Sequence, residues 1–215
     1  MRLKELAERS VTARIKHMKI GKRSFTLLAL VPVLLGTVWL VSTSRAATET
    51  PEYATVRKDG KVEIRDYPEL VVATAPMKDN MDNSFMTLFR FISGANESKE
   101  KISMTAPVLI RSEKEVRTMS FIVPKGTAEK GVPKPTGESV TISKIKAARF
   151  VALRFSGKRN PENEAKALGT LQNWMREQKM AAKGGAVFAY YDPPWTPTFM
   201  RRNEVMFRVE KQEVK

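Results

Sequence analysis

The sequence predicts an α+β fold, in which two helices pack on an antiparallel sheet or barrel, preceded by one transmembrane helix. An uncharged, mostly apolar stretch from Ser24 to Ser44 is long enough to span a bilayer. Residues 53–215 then alternate between strand and helix patterns. In this region the order strand-strand-helix-strand-strand occurs twice, which indicates two similar halves. Neither half is expected to bury enough apolar surface alone, so the two should form one domain.

The N-terminal part of the chain carries a large share of its positive charge. The net charge is +15, and residues 1–45 hold nine Lys or Arg against two Glu. Basic residues precede the apolar stretch and only Arg45 follows it closely, so the positive-inside rule places the N-terminus in the cytoplasm. We therefore expect a basic cytoplasmic segment (1–23), a transmembrane signal anchor (24–44), a tether (45–52) and the domain (53–215).

These features predict a single-pass protein of the inner or plasma membrane, with its domain facing the periplasm or the exterior. The alternative is a long signal peptide cleaved near Arg45-Ala46-Ala47, which is a poor small-residue cleavage site.

Composition argues against several classes of protein. Cys is absent, so the chain has no disulfide, no thiolate nucleophile and no iron–sulfur or zinc-finger ligand set. The single histidine, His17, precedes the apolar stretch, and no G-x-S-x-G, H-E-x-x-H or P-loop motif is present. We therefore predict no enzyme activity, no catalytic residue and no metal site. Nucleic acid is not an expected partner either, since the sequence lacks an RNP or helix-turn-helix signature.

The first half of the domain begins with a hairpin around Asp59-Gly60, a strong turn signal between strand patterns. Residues 81–93 switch to helical spacing, and Gly94 is placed to end that helix. One face of the helix is predicted to carry Met81, Phe85, Leu88, Phe89 and Ile92. Strands are expected at 53–57, 62–67, 69–76, 104–111 and 117–124.

The second half repeats this order after a linker at 126–137. Asn160-Pro161-Glu162 predicts a helix start, with Asn as the N-cap and Pro at the first helical position. This helix is expected to run to about Lys179 and to bury Ala165, Leu168, Leu171, Trp174 and Met175. Strands are expected at 139–145, 149–155, 186–191 and 204–209.

A proline-rich stretch separates the last two strands. Pro193, Pro194 and Pro197 exclude a helix or a central strand there, so we expect a stiff, ordered loop. The loop carries Trp195 and other large apolar side chains and ends in two arginines, which suits a flat, hydrophobic, acidic ligand. The alternative is a corner that caps the core and ends in a solvated Arg pair.

Three blocks of the domain resemble the SOUL family of haem-binding proteins, in the family's order and over residues 53 to about 210. The opening, central and C-terminal blocks are Tyr53–Arg57 with Val62–Pro68, Phe89–Asn96 with Lys101–Val108, and Tyr191–Trp195 with Arg201–Val205. The resemblance implies a distorted antiparallel β-barrel flanked by two helices and built from a repeated β-α-β-β unit.

The resemblance also implies a tetrapyrrole, haem b or another porphyrin, held non-covalently in an apolar cleft between the first helix and the proline-rich loop. Arg90 would pair with a haem propionate, and Arg201 and Arg202 would do the same or anchor the loop to backbone carbonyls. By matched position, the cleft residues would be Phe85, Phe89, Arg90, Trp195, Phe199, Met200 and Arg201.

Together these observations predict a membrane-tethered tetrapyrrole-binding protein for haem storage, delivery or buffering. No His ligand to the iron is expected, because His17 lies across the membrane from the domain. Two alternatives stay open: a binding module for another flat hydrophobic ligand or a lipid, and, less favoured, a haem-processing enzyme. The remaining candidate iron ligands are Met81, Met86, Met104, Met200 and Tyr191. The four methionines are more readily explained as core fillers.

Overall fold

The structure of the protein is a computed structural model that describes residues 48–77, 81–113 and 116–211. The expected cytoplasmic segment and anchor, together with residues 45–47 of the tether, lie outside the described residues. Within the described ranges, no helix combines the length and the apolar character needed to cross a membrane. Glu49, in the expected tether, forms a β-bridge with Thr105, and its carbonyl accepts from the Ala106 amide at 2.9 Å.

The described residues contain nine strands and three α-helices, and they form an α+β fold. The strands are β1 (Ala54–Asp59), β2 (Val62–Tyr67), β3 (Leu70–Pro76), β4 (Val108–Glu113), β5 (Val116–Ile122), β6 (Thr141–Ile145), β7 (Ala148–Phe155), β8 (Val187–Tyr190) and β9 (Asn203–Val209). The helices are α1 (Met81–Ile92), α2 (Lys125–Lys130) and α3 (Pro161–Glu177), with a 3₁₀ turn at Thr198–Met200. α2 lies in the expected linker and was not predicted.

The strands form one open antiparallel sheet in the order β1-β2-β7-β9-β8-β4-β5-β3-β6. The closed barrel implied by the family resemblance is therefore wrong for the described residues. Closure would require the end strands β1 and β6 to pair, but within these ranges β1 pairs with β2 and β6 with β3. β1 is also exposed along its whole length, so its outer edge is not covered.

The sheet order is symmetric about the central β8–β4 pair. Reading outward, β8, β9, β7 and β2 on one side match β4, β5, β3 and β6 on the other. The first strand of each repeated unit therefore pairs with a strand of the other unit: β2 pairs with β7, and β6 pairs with β3. This exchange joins the two strand-strand-helix-strand-strand units into one sheet.

The two longer helices lie on the same sheet face, one over each half. α1 packs on β3 and β5 through a cluster that includes Leu88, Phe91 and Met119. α3 packs on β7 and β9 through a second cluster that includes Leu171. Phe188, on β8, packs against both clusters. The central strands β4 and β8 therefore run between the helices.

The N-terminus of α3 has the cap that the sequence predicts. The Asn160 side chain accepts a hydrogen bond from the Asn163 amide at 2.9 Å, and Pro161 occupies the first helical position. The predicted buried stripe is wrong at Ala165, which is exposed, whereas Ala167 is buried. Ala167 lies one turn before Leu171, so it is this residue that faces the sheet.

Candidate functional site

The first wall of the candidate cleft is the aromatic surface of α1. Phe85 is half-buried, with its ring centroid 5.3 Å from that of Phe121 in an edge-to-face contact. It also stacks on Phe89, with 6.0 Å between centroids and 12° between ring planes. Leu88 supplies a core contact, whereas Phe89 is 43% exposed. Arg90 is exposed as well and has no side-chain partner among the described residues. The helix thus presents an apolar surface beside a cation.

The second wall is the proline-rich loop (residues 192–201), whose neck is closed by a buried carboxylate. Glu204 is 0% exposed and accepts hydrogen bonds from the Tyr191 hydroxyl at 3.0 Å and from Arg202 Nε and Nη2 at 3.0 and 2.8 Å. Tyr191 and Arg202 flank the loop, and the Tyr191 amide donates to the Arg202 carbonyl at 3.2 Å. The Arg202 guanidinium also lies 3.8 Å from the Tyr191 ring centroid. Both ends of the loop are therefore fixed at one point.

A second arginine, from β2, completes this neck. Arg65 is 3% exposed, and its Nη1 and Nη2 donate to the two Glu204 oxygens at 2.6 and 3.1 Å. Burial by itself would raise the pKa of Glu204, but the hydrogen bonds and charges of Arg65 and Arg202 outweigh burial and hold this pKa below its usual value. The carboxylate is therefore ionised at neutral pH and shared by two arginines.

Inside the loop, the Arg201 guanidinium is engaged with backbone carbonyls. Its Nε donates to the Thr196 carbonyl at 2.8 Å, and its Nη2 donates to the Pro194 carbonyl. From outside the loop, the Gly157 amide donates to the Thr198 carbonyl at 2.9 Å. These bonds, added to the fixed backbone angles of the prolines, make the loop stiff.

The stiff loop holds two aromatic side chains out of the core. Trp195 is 82% exposed and Phe199 is 78% exposed, whereas Met200 is half-buried. Neither Trp195 nor Phe199 belongs to the three buried clusters of the sheet. These two exposed aromatic side chains make the loop a candidate binding surface.

The end of β8 links the two walls. Tyr190 belongs to the cluster beneath α1 that Phe85 packs against, and the proline-rich loop starts two residues later. The Arg159 guanidinium lies 4.2 Å from the Tyr190 ring centroid. Arg159 comes from the β7–α3 connection, which also contains Gly157 and therefore contacts the loop. Tyr190 and Arg159 are thus connected both to the cluster beneath α1 and, through Gly157, to the loop.

The Tyr190 hydroxyl is fixed by α3. It donates to Glu164 Oε1, and burial together with this contact raises the pKa of Tyr190 above its usual value. The phenol therefore stays protonated at neutral pH. The Tyr190 ring thus packs against Arg159, and its hydroxyl is already engaged in the hydrogen bond to Glu164.

A small cavity on the opposite face of the sheet does not fit a tetrapyrrole. It measures about 30 Å³ and is lined mainly by apolar side chains, among them Leu70, Ile145 and Phe150. Such a volume holds one or two waters, whereas pockets for drug-sized ligands measure about 300–1,000 Å³. A large flat ligand therefore does not fit this cavity.

The described domain matches a known family along almost its whole length. The model of the family described as SOUL heme-binding protein matches residues 48–208. The chain belongs to the SOUL heme-binding protein family. This confirms the resemblance found in the sequence, and membership in the SOUL family supports binding of haem or another tetrapyrrole. No curated protein matches the chain.

Solved structures resemble the SOUL domain in fold. The C-terminal domain of EcmrR is 16% identical, with a TM-score of 0.52 over 74% of this chain and 99% of that one. A hydrolase from Listeria innocua is 10% identical, with a TM-score of 0.52 over 72% and 94% of the two chains. An uncharacterized conserved protein from Listeria innocua is 12% identical, with a TM-score of 0.54 over 70% and 92%. Identities this low show a shared fold and nothing about ligand or reaction.

The structure distributes the predicted cleft residues over two elements. The α1 group is Phe85, Phe89 and Arg90, and the loop group is Trp195, Phe199, Met200 and Arg201. Their contacts with a ligand remain a prediction. Tyr191, considered as an iron ligand, donates its hydroxyl to Glu204 instead. Tyr190 and Arg159 were not predicted from the sequence, because Tyr190 resembles any aromatic residue of a strand and Arg159 any cation of a loop.

Proposed function

We propose that the protein is a membrane-tethered binding protein for haem or another porphyrin, which stores, delivers or buffers it and does not transform it. The observation that carries this proposal is the SOUL match over residues 48–208. The exposed Phe89 on α1 and the exposed Trp195 and Phe199 on the loop give the matching chemistry. They offer apolar surface on α1 and on the loop that follows Tyr190.

In this proposal, the macrocycle is held mainly by removal of its apolar faces from water. Each square ångström of apolar surface that is buried contributes about 25 cal/mol. Phe85 would support Phe89 by stacking on it. Arg90, exposed and without a partner among the described residues, would pair with a propionate. Arg201 would act by keeping the shape of the loop, since its Nε and Nη2 are engaged with carbonyls.

Iron ligation has a minor part in this proposal. His17, the one histidine of the chain, precedes the expected anchor and would face the cytoplasm. When bound, haem b would supply the chromophore and the carboxylates, and the protein would contribute apolar contact and charge. Iron-free protoporphyrin is then expected to bind nearly as tightly as hemin.

The proposed location follows from the charge distribution of the N-terminal segment. Residues 24–44 would cross the inner or plasma membrane once, with the basic residues 1–23 in the cytoplasm. The SOUL domain would then face the periplasm or the exterior, joined to the membrane through residues 45–52. Protease protection in sealed vesicles tests this orientation, because only an outward-facing domain is cleaved in right-side-out vesicles.

The binding test is a hemin titration of the full-length protein in detergent, followed at the Soret band against protein-free micelles. Phe89→Asp places a charge on the α1 wall, and Val56→Asp makes the same change at another exposed apolar residue, on edge strand β1. We expect saturable one-to-one binding that Phe89→Asp lowers at least tenfold and Val56→Asp leaves unchanged.

Other outcomes would decide against the proposal. Absence of saturable binding, or equal loss in both variants, would refute the tetrapyrrole cleft. Tighter binding of a long-chain lipid than of either porphyrin, again sensitive to Phe89→Asp, would favour the alternative of a lipid-binding module. Chemical change of the bound haem during the titration would favour a haem-processing enzyme.

A further inference from the structure

One cation beside the candidate cleft has buried donors without acceptors. The Nε and Nη2 atoms of Arg159 are buried, and neither has a hydrogen-bond partner among the described residues. Burial also lowers the pKa of Arg159 from its usual value, despite the favourable proximity of Tyr190 and Glu164. Burial of charged donors without an acceptor is unfavourable, so an acceptor from outside would relieve it.

The two unpaired atoms form the side edge of the guanidinium, which matches a carboxylate. Arg149 shows this use in the same molecule, because its Nε and Nη2 hold the two oxygens of Asp66 at 2.8 and 2.9 Å. Two parallel N–H donors fit the spacing of the carboxylate oxygens and give a charge-assisted, two-point contact. In Arg159 the equivalent edge has no partner within the described ranges.

The groups around Arg159 favour an anion there. Glu164 attracts the charge of Arg159, but its carboxylate accepts the hydrogen bond of the Tyr190 hydroxyl and forms no ion pair with Arg159. Arg117, on β5, adds a second positive charge to the environment of Arg159. A ligand carboxylate would be attracted by both cations and would complete the hydrogen bonds of Arg159, against the repulsion of Glu164.

Arg159 is also connected to both predicted walls of the cleft. Its guanidinium covers the Tyr190 ring, which belongs to the cluster beneath α1, and its connection is bonded to the loop through Gly157. We propose that Arg159 binds a carboxylate of the cleft ligand and so selects tetrapyrroles with free propionates over their esters. This inference rests on the function proposed above and assigns a recognition role to a residue outside the family motifs.

The test compares protoporphyrin IX with its dimethyl ester, which has the same macrocycle but no ionised carboxylate. Binding to the full-length protein is followed by porphyrin fluorescence. Wild type is expected to prefer the diacid by about tenfold or more, as a charge-assisted hydrogen bond predicts. Arg159→Gln should remove most of this preference, the remainder coming from Arg90, and leave ester affinity within about twofold of wild type. Arg159→Lys should keep part of the preference, because it retains charge but not the two-point edge.

Arg154→Gln is the matched control, since it removes an exposed arginine from β7 and should keep the full preference. Thermal unfolding without ligand separates recognition from folding: Arg159→Gln should unfold at close to the wild-type temperature, because loss of the contact with the Tyr190 ring is offset by removal of two buried donors that lack acceptors among the described residues. Equal affinity of wild type for acid and ester, or an equal loss of both in Arg159→Gln, would overturn the inference alone. Failure of wild type to bind either porphyrin would overturn the proposed function as well.

Discussion

Replacement of Glu204 by Gln is expected to lower the free energy of unfolding by about 3 kcal/mol. The carboxylate is fully buried and accepts five hydrogen bonds, from Arg65, Arg202 and Tyr191. Gln has nearly the same shape, so no cavity forms, but one oxygen becomes an NH₂ group that faces donors. Loss of one partner from a buried ion pair costs about 3–5 kcal/mol. The lower end applies because Arg65 keeps Glu63 at 2.9 Å.

Urea unfolding of the full-length protein at neutral pH, followed by tryptophan fluorescence, measures this loss. Glu63→Gln is the matched control: it removes the other carboxylate of Arg65, which is partly exposed, and should cost about 1 kcal/mol. The reasoning is refuted when Glu204→Gln is no more destabilising than Glu63→Gln. In that case the buried charges are compensated by water or by rearrangement of the neck.

The pH dependence of this difference gives a second check. Because the pKa of folded Glu204 lies below its usual value, the carboxylate stabilises the fold above the unfolded-state pKa of about 4.3. That contribution is lost as the pH falls through the lower, folded-state pKa. The advantage of wild type over Glu204→Gln should therefore shrink below about pH 4. A difference that stays constant down to the acid transition would contradict an ionic origin.

Three substitutions test the fold, each read as a change in the midpoint of thermal or urea unfolding. Asn160→Ala removes the cap of α3 and should cost about 1 kcal/mol, whereas Asn160→Asp should cost little. Gly185→Ala places a Cβ 2.3 Å from the Ser112 carbonyl oxygen and should cost about 1–3 kcal/mol, whereas Gly126→Ala meets nothing within 4 Å and should be neutral or stabilising. Leu88→Ala empties a fully buried position on α1 and should cost about 2–5 kcal/mol; a cost below 1 kcal/mol would mean that the core collapses around it.

Local sequence patterns predict the elements of this fold well. The turn at Asp59-Gly60 is one example: Gly60 has a φ of +56°, a conformation that glycine adopts at little cost. The start of α3 at Pro161 is another, since cap, proline and acidic first turn lie within a few residues. α2 escaped prediction because six residues with no buried side chain give no hydrophobic period.

The arrangement of the strands could not be predicted in the same way. β2 pairs with β7, and β3 pairs with β6, across the two halves of the domain. Such pairings leave no signature within either strand, because alternation shows which residues face a core but not which strand lies beside them. The family resemblance supplied a closed barrel where the described strands form an open sheet.

The candidate site shows the same division between local and long-range information. Phe85 and Phe89 lie on one helical stripe, and the period does not say which of them leaves the core. The structure half-buries Phe85 against Phe121 and exposes Phe89. Arg159 is further from prediction, because Tyr190 on β8 and Arg117 on β5, which are both distant in sequence, help to form its surroundings.

The two halves share one topology but differ in the length of the connection between their last two strands. β4 and β5 are joined by residues 114–115, whereas their counterparts β8 and β9 are joined by residues 191–202. The long loop follows Tyr190, whose strand pairs with β4 of the first half through Val108. The proposed cleft between α1 and this loop would therefore require both halves to be paired. A ligand held there would bind the paired state alone, so it should stabilise the whole sheet, by an amount that grows with the logarithm of its affinity, rather than the loop by itself.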